Sequence, residues 1–439
     1  MLDVETLGVA LKLVKEGGGG GGEGAAIIDD SKILTSTTWS SLKIVDTLCP
    51  PFTASGPAVQ CTPVANYPLG VQVEITPTQE GTGDPSPENV RPIVGWDSVN
   101  VTRCGKNFMP YSKPSPSTYT ANGITFTWND DGSIHAIGTA VKRTDSNIMY
   151  FEDLHLPPGK YRMINPGKPG ISSQFVVKKA DTGANYWYNS QNIISIENGD
   201  VPQYFYVSIS DGTVVDDTIY AFLSYGSDIH TGNDYAPYTG TTATLTLPET
   251  IYGGTVDAVT GEGSEEWEVV EFDGTENWMT WGVDNFTIGL TGFYYYAEIP
   301  AVADSADYLA CSHLVYNSNS YGGRAVGFRV NLKEGSKYWV LTVPNEILSN
   351  TESSTAAVDS WKSYLAAKAA AGTPVTIAYK LATPTPFQAT GSQPIPALPG
   401  TNTIYTDADS VTVTGRADPI ATITALQTRV SALENAALI

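Results

Sequence analysis

A hairpin pattern in the first half of the chain limits the fold more than any other feature. In GITFTWNDDGSIHAIGTA, residues 123–140, apolar and polar residues alternate on both sides of Asp131-Gly132. Such alternation is typical of a strand with one buried face, and Asp-Gly favours the tight turn between two paired strands. The pattern therefore predicts an antiparallel hairpin and argues against an all-helical chain.

Short strand patterns of this kind continue over residues 105–240. Turn signals rich in Gly, Pro, Asn and Asp separate them. Many short strands joined by tight turns are typical of an antiparallel β-sandwich, so we predict a first sandwich of the jelly-roll kind here. Its further strands are predicted at YRMI (161–164), SQFVVKK (173–179), YFYVSIS (204–210) and TIYAFLSY (218–225).

A second series of strand patterns predicts a second sandwich over residues 264–382. One helix is predicted inside it, because DSWKSYLAAKAAA (359–371) is rich in strong helix formers and is followed by Gly372. The fold class is therefore predicted as mainly β, with two antiparallel β-sandwich domains, extended connectors and short N- and C-terminal helices. The strands are predicted at WEVVEF (267–272), NFTIGL (285–290), FYYYAEI (293–299), AVGFRVN (325–331), KYWVLTV (337–343) and TPVTIAYK (373–380).

The composition agrees with a turn-rich β protein and excludes several classes. The 439 residues include 42 Gly and 28 Pro, and charged residues make up only 16%, with a net charge of -22. An acidic excess argues against a nucleic-acid partner, because affinity for DNA depends on cations that contact phosphates. The sequence has no run of 18 apolar residues and no basic, apolar leader, so we predict neither membrane insertion nor a signal peptide.

The segments outside the two sandwiches are predicted to attach or connect them. Residues 2–15 carry apolar residues at helical spacing, and the six glycines of Gly17–Gly22 that follow should behave as flexible chain. We interpret this segment as an attachment device, and the alternative is a frayed terminus without a role. The predicted order is an attachment helix and tether (1–30), a β-rich shoulder (31–104), the first sandwich (105–240), a linker (241–263), the second sandwich (264–382), an extended Pro-rich segment with a strand (383–418) and a coiled-coil-like helix (419–439).

The C-terminal helix is a candidate for oligomerisation. Ile423, Leu426, Val430 and Leu433 follow one another at steps of three and four residues, which places them at the a and d positions of a heptad. Two heptads are too short to hold an isolated coiled coil, although they can register chains that are joined elsewhere. The alternative is a single amphipathic helix that packs on its own domain.

Motifs for catalysis or metal binding do not occur in the sequence. It contains no HExxH, GxSxG, CxxC or phosphate-binding glycine motif, and its four histidines lie far apart. The densest carboxylate group, Glu265, Glu266, Glu268 and Glu271, is interpreted as the solvated face of a strand. We therefore predict that the protein is not an enzyme and needs no cofactor or metal.

The cysteines leave one alternative open. Cys49 and Cys61 flank a Pro-rich stretch and are candidates for a disulfide. None of the four cysteines has the spacing of a zinc site, so free thiols are the other interpretation, and the one that we favour.

Clusters of aromatic and amide residues indicate binding of carbohydrate. Sugars offer flat C–H faces that stack on Tyr and Trp, and hydroxyls that pair with Asn and Gln. Ordinary core packing is the alternative for each cluster, and apolar neighbours favour it for the region around Trp281. The candidate residues are Tyr186, Trp187, Tyr188 and Asn189 in one segment, Tyr316, Asn317 and Tyr321 in another, and Trp278.

Four long segments resemble tail and minor structural proteins of phages and prophages of Gram-positive bacteria. They are TPTQEGTGDPSPENVRPIVGW followed by VTRCGKN, YTGTTATLTLPETIYGGTVDAVTGEG, LPGTNTIYTDADSVTVTGR and the terminal ITALQTRVSALE. Within the first, the group's recurring loop is matched by Asp84, Pro85, Ser86, Pro87, Glu88, Asn89, Arg91 and Pro92, for which we expect a structural role.

The resemblance implies a tail-tip or baseplate component of a virion, often a trimer, that meets the host surface. In such proteins an N-terminal part attaches to other tail proteins, and sandwich domains similar to carbohydrate-binding modules face outward. We therefore expect a homotrimer in the virion tail that binds a host cell-surface polysaccharide. The alternatives are a purely structural baseplate or fibre subunit, and a tail-associated glycan depolymerase.

Overall fold

The fold is described from a computed structural model, and the structure describes residues 49–110, 115–151 and 154–418. The predicted attachment helix and tether, the first part of the shoulder and the C-terminal helix lie outside the described residues. The four heptad residues assigned to oligomerisation lie there too; they are Ile423, Leu426, Val430 and Leu433.

Strands dominate the described chain, which confirms the mainly β class. Before and within the first sandwich they are β1 (Pro51–Gly56), β2 (Ala58–Cys61), β3 (Pro68–Ile75), β4 (Thr78–Gln79), β5 (Ile93–Val94), β6 (Trp96–Cys104), β7 (Thr118–Ala121), β8 (Ile124–Trp128), β9 (Ser133–Thr139), β10 (Thr144–Tyr150), β11 (Gly159–Met163), β12 (Ile171–Lys178), β13 (Asn185–Asn189), β14 (Ile194–Ile196), β15 (Val201–Ile209), β16 (Val214–Tyr220) and β17 (Leu223–Tyr225).

The remaining elements continue in chain order to the end of the described residues. They are β18 (Thr241–Ile251), β19 (Gly253–Asp257), β20 (Glu262–Phe272), β21 (Met279–Val283), β22 (Leu290–Tyr296), β23 (Leu309–Cys311), β24 (Gly327–Asn331), β25 (Tyr338–Pro344), α1 (Ser354–Ala370), β26 (Val375–Gln388), β27 (Ile395–Pro396), β28 (Asn402–Thr406) and β29 (Ser410–Arg416), with short 3-10 helices at Gly232–Asp234, Tyr321–Gly323 and Asn345–Ile347.

A central sandwich, which the sequence patterns do not predict, is built from three separate stretches of chain, and β23 of the second insertion extends one of its sheets. One sheet has the order β1-β29-β3-β19-β20-β26-β23, and a second has the order β18-β6-β28-β2. Val73, Val99, Leu245 and Val411 are among the buried residues between them. Because its partner strands are far apart in sequence, local patterns do not reveal that they belong together.

This arrangement corrects the predicted connectors. The expected linker, 241–263, forms β18, β19 and the start of β20, which pair with β6 and β3. The expected extended segment, 383–418, supplies the end of β26 together with β27, β28 and β29. Both stretches contain alternating apolar residues, and the central sandwich buries them as core.

The two predicted sandwiches are insertions into the central one. Arg103 on β6 pairs with Thr241 on β18, so the chain enters and leaves the first insertion at neighbouring positions. In the same way Phe272 on β20 pairs with Val375 on β26, which closes the second insertion. The second core also includes Phe272 and part of β26, so the β20–β26 pair runs from the central sandwich into the second one.

Three small antiparallel sheets enclose the core of the first insertion. Their orders are β10-β15-β12-β13, β14-β11-β17 and β16-β9-β8-β7. The predicted hairpin is confirmed, since β8 and β9 pair from Ile124↔Gly138 to Trp128↔Ile134. Asp131 stabilises its turn, because Oδ1 accepts hydrogen bonds from the Ser133 amide at 2.9 Å and from the Ser133 hydroxyl at 2.6 Å.

Helix α1 packs on the four-stranded sheet β21-β22-β25-β24 of the second insertion. It ends as predicted, with Gly372 at φ 74°, but it begins at Ser354 rather than at Asp359. Ser353 caps it, because its hydroxyl accepts a hydrogen bond from the Ala356 amide at 3.2 Å. The helix buries Trp361 and Leu365, among other residues, against the second core.

The Pro-rich loop between β4 and β5 is ordered by one arginine. The Arg91 guanidinium donates hydrogen bonds to the carbonyls of Glu80 at 3.0 Å and Gly83 at 2.6 Å, and to those of Gln79 and Gly81. Several donors in a fixed planar group suit such a cluster of carbonyls. Arg91 therefore gives this loop the structural role that we expect, and the prolines alone would not do so.

The cysteines are not joined, and no disulfide links Cys49 to Cys61. Burial raises the pKa of Cys61 to about 11 and that of Cys104 to about 12, and it does the same for Cys311. Since the thiolate is the reactive form, the raised pKa lowers the reactivity of these three thiols at neutral pH.

The carboxylate group on β20 is only partly a solvated face. Glu268 and Glu271 are exposed, whereas Glu265 and Glu266 are half-buried, because a bulge between Glu265 and Trp267 breaks the strict alternation. Glu266 forms an ion pair with Lys380 at 2.9 Å. Burial, followed by the nearby carboxylates of Glu249 and Glu268, raises the pKa of Glu265 to about 7.

Replacing Glu265 with glutamine should flatten the dependence of stability on pH. Because the folded state binds this proton more tightly than the unfolded state, the stability that it contributes is complete below about pH 4.5 and is lost as the pH rises through 7. We expect Glu265→Gln to be more stable than wild type at pH 8 by roughly 1 kcal/mol, allowing for solvent screening. Urea unfolding at pH 5 and pH 8 measures this, with Glu262→Gln as the exposed control on the same strand. An equal pH response of Glu265→Gln and wild type would contradict it.

Candidate functional site

The sheet of the second insertion has one buried face and one face that carries tyrosines. On β22 and β25, Phe293, Trp339 and Leu341 point into the core. The alternate positions, which include Tyr294, Tyr296 and Tyr338, therefore point to the opposite, outer face. Strand pairing places Tyr296 directly opposite Tyr338.

Five aromatic rings form one continuous group on this outer face, which we call the aromatic patch: Trp281, Tyr294, Tyr296, Tyr321 and Tyr338. The Trp281 ring lies 4.4 Å from that of Tyr294 and 5.0 Å from that of Tyr321. Tyr296 lies 5.2 Å from Tyr338 and 5.8 Å from Tyr294. Tyr296 is 50% exposed and Tyr321 39%, whereas Trp281 and Tyr294 are half-buried and Tyr338 is buried, so a ligand would meet the patch mainly at Tyr296 and Tyr321.

Tyr321 reaches the patch because a 3-10 turn lies directly on the sheet. The Thr342 hydroxyl donates a hydrogen bond to the Ser320 carbonyl at 2.6 Å and so fixes the turn. Gly292 makes the close approach possible, since a Cβ there would lie 2.5 Å from the Gly323 nitrogen. These contacts join residues that are far apart in sequence into one surface.

Two tyrosines of the patch, Tyr338 and Tyr294, have a raised pKa and are neutral at pH 7. Burial, followed by a hydrogen bond with Tyr321, raises the pKa of Tyr338 above its usual range. Burial and the neighbouring Tyr296 and Tyr321 also raise the pKa of Tyr294. Neutral phenols both donate and accept hydrogen bonds, as hydroxyl groups of a sugar require.

Polar groups surround the rings. An open cleft of about 480 Å³ begins at Tyr296 and is lined by Glu298, Ser336 and Lys337, among others. On the same outer face, Arg329 is held by an ion pair with Asp304. The rings are tilted or edge-on to one another, at 35° to 89°, so the patch offers ring faces and edges with polar groups beside them. Aromatic side chains with a few polar groups beside them are common in ligand sites.

The structure places the predicted glycan-binding residues of the second sandwich in different environments. Tyr321 belongs to the aromatic patch. Tyr316 packs on the core, with its hydroxyl donating to the Asp304 carbonyl at 2.7 Å, and Asn317 orders its own loop by donating to the Val326 carbonyl at 3.0 Å. These two residues support the surface rather than form it.

The expectation for Trp278 requires correction. Its side chain is 2% exposed and lies in the second core, and its Nε1 donates to the Glu276 carboxylate at 3.0 Å. Trp281, for which the sequence favoured the core, lies instead on the outer face. The bulge between Thr280 and Val283 interrupts the pairing of β21 with β22, so simple alternation does not predict the positions of these two rings.

In the first insertion the predicted segment lies on β13, the edge strand of its sheet. Tyr186 and Tyr188 share one side, with ring centroids 4.7 Å apart, and the Tyr188 hydroxyl donates to the Ser195 carbonyl. Trp187 is 54% exposed and points to the other side. The Asn189 side chain accepts a hydrogen bond from the Gln191 amide at 3.0 Å, which orders the following turn.

Trp187 has neighbours on its own side of the sheet, of which Val176 is fully buried and Tyr204 is half-buried. The strand register aligns it with Val176 and Tyr204, and aligns Asn189 with Gln174 and Tyr206. The signal is present in YFYVSIS, where Phe205 is buried and the tyrosines on either side of it must face outward. The same alternation in FYYY, residues 293–296, identifies Tyr294 and Tyr296.

Two further observations limit the chemistry of the described residues. Across residues 49–110, 115–151 and 154–418, no three His, Cys, Asp or Glu side chains are grouped as a metal site would require. In the same ranges, no helix combines the length and the hydrophobicity needed to cross a membrane.

Comparison with protein-family models, with curated proteins and with solved structures finds no match to this chain. Function is therefore argued from the surfaces described above and from the resemblance of its sequence segments.

Proposed function

We propose that this protein is a structural component of a phage tail tip that binds a host cell-surface glycan through the aromatic patch. The single observation that carries the proposal is the group of five adjoining rings on the outer face of the second sandwich. In a soluble protein, aromatic side chains gathered on one exposed face mark a binding surface more often than scattered exposed residues do. The neutral phenols and the polar cleft support a sugar as the ligand.

The course of the chain agrees with a role at the end of a tail. β1 pairs with β29, with Pro51 opposite Arg416, so the described chain begins and ends at the same edge of the central sandwich. Attachment to other tail proteins through the N-terminal part, and assembly into a homotrimer, are part of the proposal. Three copies would bind a repetitive polysaccharide with greater avidity than one weak site allows.

Replacing Tyr296 with alanine should weaken binding of host wall polysaccharide by about tenfold or more, because truncating an aromatic anchor typically costs more than 1 kcal/mol. Tyr296→Phe keeps the ring and should retain most of the affinity. Tyr119→Ala is the matched control, since Tyr119 is 51% exposed but lies on β7 of the first sandwich. Isothermal titration calorimetry with the full chain measures all three.

The outcomes separate the alternatives. Equal affinity of Tyr296→Ala, Trp281→Ala and wild type would refute the role of the aromatic patch. A chain that assembles with tail proteins but binds no wall polysaccharide would be a purely structural subunit. Release of reducing ends from the polysaccharide would instead identify a depolymerase.

A further inference from the structure

A small cavity in the first sandwich is separate from the aromatic patch. It has a volume of about 240 Å³ and lies where β11 and the turn after β13 approach the segment around His230. Pockets for drug-sized ligands usually exceed about 300 Å³, so this one suits a single sugar-sized ring. Its polar lining comes from Arg162, Asn165, Ser190, Gln191 and His230.

Two side chains of this lining, Arg162 and Asn165, carry donor groups that no described residue accepts. Arg162 is held in place, with Nε donating to the Ser227 carbonyl at 3.3 Å and Nη1 to the Gln191 carbonyl at 2.6 Å. Its Nη2 makes no hydrogen bond to a described residue. Asn165 uses only Oδ1, which accepts from the Gly167 amide and the Ser190 hydroxyl, so its Nδ2 also remains available.

His230 adds a largely buried imidazole to the lining of the cavity. Its side chain is 9% exposed and its ring packs edge-on against Phe222, at 5.3 Å between centroids. Burial, and then the charge of Lys106, lowers the pKa of His230, so the imidazole is neutral at pH 7 and one of its nitrogens carries a hydrogen. The imidazole therefore adds an uncharged polar group to the lining of the cavity.

The lining of the cavity favours a ligand that carries a carboxylate on a ring with an apolar face. It includes no Asp or Glu, whereas Arg162 presents the planar donor group that matches a carboxylate. Met163 and Ile229 form the apolar walls, and Ile229 is 81% exposed at the rim. We infer that this cavity binds one acidic monosaccharide unit of hexuronate type, with its carboxylate on Arg162 and Asn165 and its C–H face against Ile229.

Titration of the full-length protein with glucuronate, galacturonate, glucose and acetate tests the inference. Ligand-observed NMR should give at least tenfold tighter binding of one uronate than of glucose, which lacks the carboxylate, and of acetate, which lacks the ring. Equal binding of the uronates and glucose would overturn the inference.

Two variants and a control locate the site. Arg162→Gln should weaken uronate binding at least tenfold. Asn165→Asp keeps the shape of the side chain and the oxygen that orders the loop, but it replaces the amide donor with a negative charge. This variant should weaken uronate binding by a similar factor. Lys160→Gln removes a positive charge from the same strand outside the cavity and should stay within twofold of wild type. If Asn165→Asp binds uronate as wild type does, the carboxylate does not occupy this cavity.

The uronate titration tests the cavity independently of the aromatic patch. Tyr296→Ala leaves this cavity intact, so it should bind uronate with unchanged affinity even where it loses the wall polysaccharide. If uronate does not bind, the function proposed for the aromatic patch is therefore unaffected. If the aromatic patch does not bind wall polysaccharide, the inference about the cavity is likewise unaffected.

Discussion

Replacing Trp361 with alanine should lower the free energy of unfolding of the second sandwich by about 3–5 kcal/mol. Trp361 is 1% exposed, and its ring stacks on that of Phe293 at 5.1 Å with an interplanar angle of 9°. It also contacts the rings of Trp278 at 5.9 Å and Tyr364 at 5.4 Å. The indole therefore fixes α1 to the sheet whose other face carries the aromatic patch.

The loss should come from packing rather than from a hydrogen bond. The Trp361 Nε1 is buried without a partner among the described residues, so truncation removes no hydrogen bond with them. Urea unfolding followed by circular dichroism measures the change, and Trp187→Ala, at a 54% exposed site, should change stability by no more than about 0.5 kcal/mol. Similar losses for the two tryptophans would contradict the assignment of Trp361 to the core.

Replacing Phe108 with alanine should cost a similar amount, about 3–5 kcal/mol, in the first sandwich. Phe108 is fully buried just after β6, where the chain enters the insertion. Its ring stacks on Tyr405 of the central sandwich at 5.4 Å and meets Tyr161 of the first sandwich edge-on at 5.5 Å. One side chain thus joins two domains.

Phe108→Ala should also loosen the connection between these domains. Hydrogen exchange should become faster both in β11 and in β28, because Tyr161 and Tyr405 lose the same neighbour. Tyr119→Ala, at a half-exposed position of the same sandwich, should leave exchange in β28 unchanged. Faster exchange confined to β11 would mean that the two domains are not coupled through Phe108.

The insertion of two sandwiches into a central one is relevant to the proposed function. Each insertion closes at a pair of bonded neighbours, Arg103↔Thr241 or Phe272↔Val375, so each sandwich can vary without disturbing the strand order of the central one. Phe108 and the shared β20–β26 pair hold the two insertions on the central sandwich. Such an arrangement suits a protein that presents binding surfaces on a constant support.

The candidate site was only partly predictable. Local alternation suffices to identify outward-facing rings such as Tyr294 and Tyr296, once the neighbouring Phe293 is recognised as core. Tyr321 joins them only because a turn lies on the sheet at Gly292, and Trp281 only because a bulge changes the facing of β21. The burial of Trp278 depends on contacts with Phe272, which is close in sequence, and with Trp361 of α1, which is distant in sequence.

The sequence by itself determined the mainly β class, the hairpin around Asp131-Gly132 and the end of the helix at Gly372, because these features follow from alternation and turn chemistry within a few residues. Only the tertiary structure decided that residues 241–263 and 383–418 belong to a central sandwich and not to connectors. The physical reason is that a strand is stabilised by its partners. Those of β18, for example, lie more than a hundred residues earlier, on β6, where no local pattern can indicate them.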